Sequence, residues 1–219
     1  MEYKIIKNRI ARCIFSLIGA ILSISGIIDG YDGTFDMIFY FTYLSNMLVF
    51  GVFTAQFILE LINIVKKTSY QVPAGIKGLA LMMITFTFLT VFFVLSPFSL
   101  PSDWLDARVH YLVPFITVFD WILFDAHCRF RIYHPLYWVF APIVYFGYIL
   151  IVAICGIKYN GGETFPYFFM DVFEYGWGFV LPMILILAVV FLVLGALVTF
   201  LDNIPQIKAK KAEKKKLSA

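Results

Sequence analysis

Charge is scarce in this chain. Only 14% of its 219 residues are charged, while 62% are hydrophobic; a soluble domain carries about 25% charged residues. That leaves too little polar surface to cover a water-soluble globule of this size. Cysteines number three, and Cys13, Cys128 and Cys155 lie far apart, without CxxC or any other zinc-ligand spacing. All three read as packed thiols. Neither a GxSxG elbow nor an HExxH helix occurs, which removes the familiar serine-hydrolase and zinc-protease signatures. His127, Cys128 and His134 cluster in DAHCRFRIYH, a frame that matches no metal-ligand pattern, so neither a metal nor any other cofactor is expected. A basic groove with interleaved aromatics is also missing, so nucleic acid is not an expected partner. Internal repeats and a soluble second domain are missing as well.

What is present is apolar sequence in membrane-length blocks. A bilayer core about 30 Å thick needs about 20 apolar residues as helix, and backbone groups inside lipid must bond within their own segment. Six stretches qualify, at 10–28, 37–62, 76–96, 108–125, 136–156 and 178–201. The expected fold is an all-α polytopic membrane protein, with a six-helix domain over 1–205 and a basic tail over 206–219. Lys4, Lys7, Arg9, Arg12, Lys66, Lys67, Lys77, Arg129, Arg131 and six tail lysines alternate onto one side, fifteen of 17 basic residues. Only Arg108 and Lys158 fall on the other side, together with Asp29, Asp32, Asp36, Asp103, Asp106, Glu163, Asp171 and Glu174. By the positive-inside rule both termini are cytoplasmic. The first stretch starts like a signal peptide but lacks a small-x-small cleavage site before Asp29, so it reads as an anchor. Its Ser16, Gly19, Ser23 and Gly26 form a small-residue packing seam.

Polar groups inside lipid are costly and point to function. Thr42, Ser45, Asn46, Gln56 and Glu60 share one face of the second span, which should face the bundle interior. In the fourth span His110, Pro114, Thr117 and Trp121 share a face, and Asp120 lies about 80° off it. Counting ~1.5 Å per residue, Thr42 is ~9 Å below Asp36 and His110 ~6 Å below Asp106, so the two lie at similar depth. A hydroxyl and an imidazole at matched depth can act as nucleophile and base, with the Asn46 amide one turn below as an oxyanion donor. A plainer reading is also available: threonines in membrane helices commonly bond their own i−4 carbonyl, and interfacial histidines snorkel. Asp120 is ~15 Å along the helix from His110, too far to orient its ring. A third group must then come from another helix or from the outer loop with Asp171 and Glu174. No cation is in sight for Asp120 within the membrane core, which leaves it protonated or held by hydroxyls, as a packing or substrate contact. Tyr137, Tyr145 and Tyr148 of the fifth span read as interface anchors.

FTYLSN (Phe41 to Asn46), HYLVPFITVFD (His110 to Asp120) and YNGGETFPYFFMD between spans five and six together resemble the androgen-induced-protein family of six-helix membrane proteins and its bacterial relatives. The resemblance implies a threonine hydrolase of fatty acid esters of hydroxy fatty acids. Thr42 would be its nucleophile and His110 its catalytic histidine, with Ser45, Asn46 and Asp120 at the oxyanion or the substrate. The pair Ser45-Asn46 departs from the more apolar or acidic residues of the animal members. The implied substrate is a membrane lipid or fatty-acyl ester, and the implied place is the plasma membrane of a prokaryote. The residues themselves leave open a small transporter or lipid-binding protein that uses the same polar stripe, which Gln56 and Glu60 favour, or an assembly factor with no small-molecule site.

Overall fold

In a computed structural model residues 4–217 are described, with side chains to residue 209. Six helices are long and apolar enough to cross a membrane: α1 (Arg9–Asp29), α2 (Phe41–Lys66), α3 (Ala74–Leu95), α4 (Trp104–Phe124), α5 (His134–Ile154) and α6 (Trp177–Ala209). Among the described residues there is no strand, only an isolated Tyr159–Glu163 bridge. Each helix falls where an apolar block predicts it. The helix that contains α6 runs on to Leu217, through most of the stretch set apart as a tail. Outward faces are apolar: Leu185, Val189, Val193 and Phe200 of α6 are all more than half exposed, as a lipid-facing surface requires.

The small-residue seam of α1 is used for close approach. A Cβ on Gly19 would lie 2.7 Å from the Phe53 ring of α2, and one on Gly26 2.7 Å from Val109 of α4. Ser16 and Ser23 are fully buried and return their hydroxyls to the carbonyls of Arg12 and Gly19. The seam is therefore filled by close helix packing.

The polar stripe of α2 does face inward: Thr42, Ser45, Asn46, Gln56 and Glu60 are all buried. Its lower half enters an ionic cluster that ties four helices together. The Arg12 guanidinium donates to Asp125 (2.6 Å) and Gln56 (3.2 Å), and its Nε is 3.4 Å from Glu60. The Lys77 ammonium contacts Asp120, donates to Gln56 Oε1 at 2.6 Å and lies 3.6 Å from Asp125. Gln56 Nε2 completes the cluster with Ser16 (2.7 Å) and Asp120 (2.8 Å). Two basic residues thus leave the loops to which sequence position assigns them. Lys77 lies inside α3, which begins at Ala74, and is 2% exposed; Arg12 lies inside α1 and is 6% exposed. Asp120 accordingly has the cation that the sequence did not reveal. It is paired with Lys77 and accepts from the Gln56 amide, rather than being protonated or held by hydroxyls. Buried charges persist in lipid when paired in this way.

Both ends of the described chain meet the 123–130 segment. Ile6 N–H donates to Leu123 O, and Cys128 N–H to Asp202 O. The Asp202 carboxylate also accepts from Trp121 Nε1 and from the backbone N–H groups of Arg129 and Phe130. His127 Nδ1 lies 3.2 Å from it. Each histidine of the proposed loop cluster is thus engaged by protein, since His134 Nδ1 accepts from the Arg131 N–H. Cys13 is a packed thiol, but Cys155 is exposed. The hydrogen bond to Asp202 holds the His127 pKa above its ordinary 6.5, against the opposing effect of burial. A group whose folded-state pKa is raised stabilises the fold below its unfolded pKa, and that contribution disappears as pH rises through the folded value. Melting temperatures should therefore fall as pH rises above 6.5, and His127→Gln should flatten that slope; an unchanged slope would refute the linkage.

Candidate active site

At the opposite end of the bundle the loops carry the acidic residues. A short 3₁₀ turn, Asp36–Phe39, delivers the chain to the N-terminus of α2, with Tyr40 as N-cap. Thr42 is the second residue of that helix, in the turn whose first N–H groups have no intrahelical acceptor. Across from it, α4 is not regular. Residues Arg108–Leu112 form a π-helical turn around His110, the kind of helix irregularity that recurs at functional sites. The turn is fixed by the Arg108–Asp29 ion pair and by Asn46, whose Nδ2 donates to Val109 O at 3.1 Å.

The two residues singled out in the sequence come together. Thr42 Oγ1 lies 3.1 Å from His110 Nε2. The other ring nitrogen, Nδ1, is 2.5 Å from Asp106 Oδ1. A carboxylate only accepts, so Nδ1 carries the proton and Nε2 presents its lone pair to the threonine hydroxyl. Asp106 is itself held, by the Ser102 N–H on Oδ2 at 2.8 Å, and its backbone N–H is capped by Asp103. Thr42 is 6% exposed, whereas the imidazole and carboxylate keep about a quarter of their side-chain surface open. A hydroxyl, an imidazole and a carboxylate therefore stand in the order that activation of a hydroxyl nucleophile would require.

The third member is not where the sequence argument looked for it. It lies neither on another helix nor in the outer loop, where Asp171 is occupied capping Phe173 and Glu174. Asp106 precedes His110 by one turn on the same helix, and the DARVH spacing, i to i+4, is the signal that could have found it. Asn46 and Ser45 also take other roles. Both Asn46 donor contacts go to backbone carbonyls, Thr42 O (2.8 Å) and Val109 O, and Ser45 bonds Thr42 O and the Thr87 hydroxyl. Neither is directed at an oxyanion, and both instead brace the turn that presents Thr42.

Tyr167, in the 155–176 loop, takes the place expected of Asn46. That loop folds back over the start of α2: Asn160 N–H donates to Asp36, Tyr40 OH to Glu163, and Tyr159 stacks on Phe39 at 4.6 Å. Burial beside Glu163 pushes the Tyr40 phenol up to about 12. Burial also raises the Tyr167 phenol, offset in part by hydrogen bonds to the Thr42 side chain and to the Thr42 and Phe41 backbone. The Tyr167 phenol thus lies against the Thr42 hydroxyl and the first N–H groups of α2, where the helix dipole favours negative charge. Comparison with protein-family models, curated proteins and solved structures gives no match. The chemistry must therefore be argued from the site itself.

Thr42 stands where two cavities meet. An apolar cleft runs between α3, α5 and α6, lined by Phe86, Val91, Pro142, Ile143, Phe146, Ile184 and Leu187 and closed at its inner end by Thr42, Tyr145 and Tyr167. Ile143 on its rim is 43% exposed on the apolar surface. Tyr145 thus belongs to the cleft, with its hydroxyl on Phe39 O at 2.7 Å, and not to the interface. On the other side of Thr42 is a more polar cavity of about 230 Å³, lined by Tyr40, Tyr43, Ser96, Asp106 and His110. A π-helical turn in α3, Val91–Leu95, borders both.

Proposed function

We propose that the chain is an intramembrane lipid ester hydrolase, a bacterial relative of the androgen-induced-protein family, working in the plasma membrane of a prokaryote with both termini cytoplasmic. The observation that carries this reading is the Thr42–His110–Asp106 relay at the junction of an apolar cleft with a polar cavity. In this reading the acyl chain enters the apolar cleft, whose volume of about 50 Å³ must widen to take it, with the ester carbonyl at Thr42 and the alcohol portion in the polar cavity. Thr42 Oγ attacks the carbonyl carbon while its proton passes to His110 Nε2. The oxyanion is held by the N–H groups at the start of α2 and the Tyr167 hydroxyl. Collapse breaks the ester C–O bond, and the leaving alcohol takes the proton from His110, leaving acyl-threonine. A water molecule deprotonated by His110 then attacks the acyl carbon and releases the carboxylic acid, and Thr42 recovers its proton.

A fluorophosphonate probe should label the purified protein, and the label should vanish in Thr42→Ala. Labelling that persists in that variant would overturn the assignment. Asp106→Asn tests the relay separately: the amide can donate to Nδ1 and impose the wrong tautomer. Hydrolysis should fall by about 10²–10⁴ with thermal stability nearly unchanged. An Asp106→Asn enzyme of full activity would remove the carboxylate from the mechanism.

A second reading, a small transporter, draws on the buried cluster of Arg12, Lys77, Glu60, Asp120 and Asp125, which ester cleavage does not use. Proton flux into liposomes that is lost in Lys77→Met would favour it.

A further inference from the structure

A cavity of about 310 Å³ lies at the basic end, between the start of α1 and the end of α2, with no connection to the hydrolytic site. That volume is many times what one water molecule needs. Among the described residues Lys4, Lys7, Arg9 and Arg12 line it, with Glu60 as the only carboxylate. The formal charge of this described lining is four positive against one negative, with Arg12 also paired to Asp125 behind the wall.

The walls are built rather than incidental. Arg9 Nη1 donates to Asn63 O at 2.9 Å and to Thr68 O at 2.5 Å, fixing the α2–α3 connection against α1. Asn8 Oδ1 accepts from Ala11 N and caps α1. Arg12 is 6% exposed, and Asp125, Gln56 and Glu60 hold its Nη2 and Nε. Its Nη1 is buried with no hydrogen-bond partner among the described residues. A buried guanidinium nitrogen without an acceptor is costly, and here it belongs to a residue on the wall of a concave, strongly positive cavity. Such a concavity focuses its field on anions. The cavity lies level with the first turn of one membrane span and the last turn of another, which is headgroup depth, and Ile6 and Phe124 add an apolar shoulder.

We propose that this cavity binds a phosphate-bearing anion, with Arg12 and Lys7 as its counter-charges. A phospholipid headgroup and free inorganic phosphate share that chemistry. Native mass spectrometry and titration of the full-length protein in detergent separate them, using phosphatidylglycerol, phosphatidylcholine and inorganic phosphate as probes. Phosphatidylglycerol binding stronger than phosphatidylcholine binding, with no effect of inorganic phosphate, identifies a lipid headgroup. Displacement of phosphatidylglycerol by inorganic phosphate, or phosphate binding alone, identifies the free anion.

Lys7→Gln, at an exposed position, should weaken binding by roughly fivefold. Lys66→Gln with Lys67→Gln removes twice that charge outside the lining and should leave binding unchanged. Three results would overturn the site: no anion bound, equal retention of the two lipids, or an equal loss in the Lys66/Lys67 control.

Discussion

Thr42→Ala is expected to lower kcat for lipid ester cleavage by roughly 10⁴ to 10⁶, and His110→Ala by a similar factor. The informative quantity is the combination. Nucleophile and base act on one proton, so removing both should cost no more than removing either, whereas independent contributions would multiply. Folding should survive, because the Thr42 hydroxyl packs at the junction of two cavities and its bond to His110 is not part of the helix framework. Thr42→Ser keeps the hydroxyl and should keep measurable turnover. Activity of a purified Thr42→Ala protein at the wild-type level, under conditions where His110→Ala is inactive, would end the threonine mechanism.

Lys77→Met should produce the largest loss of stability in the molecule, about 3–5 kcal/mol. The substitution leaves Asp120 without its cation and Asp125 with only Arg12. The Lys77→Met, Asp120→Leu pair should recover most of that loss, because an apolar pair carries no desolvation penalty. Reversible unfolding in mixed micelles, read as a double-mutant cycle, measures the coupling. Asp120 is ten residues from His110, ~15 Å along α4, so the folded double variant should retain hydrolysis. If it folds as well as the wild type but cleaves nothing, Asp120 returns to the substrate site.

How much of this was legible beforehand depended on the range of the signal. The spans were, because apolar length is a local property. The stripe of α2 was, because helical periodicity alone places Thr42, Asn46 and Gln56 on one side. Thr42 and His110 could be matched in depth, since each is tied by a short count to an acidic loop residue. Asp106 was in view as one of those loop residues, and its role was missed because the end of α4 was set at 108 when the helix begins at Trp104. Lys77 already lay inside the expected span 76–96 and was missed because it was counted with the loop charges. A window of hydropathy assigns a lysine at a helix start to water, while the fold turns it inward toward carboxylates on another helix. Tyr167 lay within the YNGGETFPYFFMD stretch that carries the resemblance, but its place beside Thr42 had no local signal, since it depends on a loop closing over α2 from more than a hundred residues away. The cleft was also beyond reach: it is a gap between α3, α5 and α6, and no single helix carries its pattern.

The lateral mouth of that cleft, at Ile143 on the lipid-facing surface, sets the dimension in which substrate is counted. A molecule that reaches Thr42 from within the bilayer is present at a mole fraction of the lipid, not at a molarity in the buffer. Diluting vesicles with water should leave the rate per protein untouched, while adding inert phospholipid at constant total ester should slow it. If the proposed hydrolysis runs at this site, the two products part company: the fatty acid stays in the leaflet beside the cleft, and a sufficiently polar alcohol departs through the cavity by His110 into the aqueous phase.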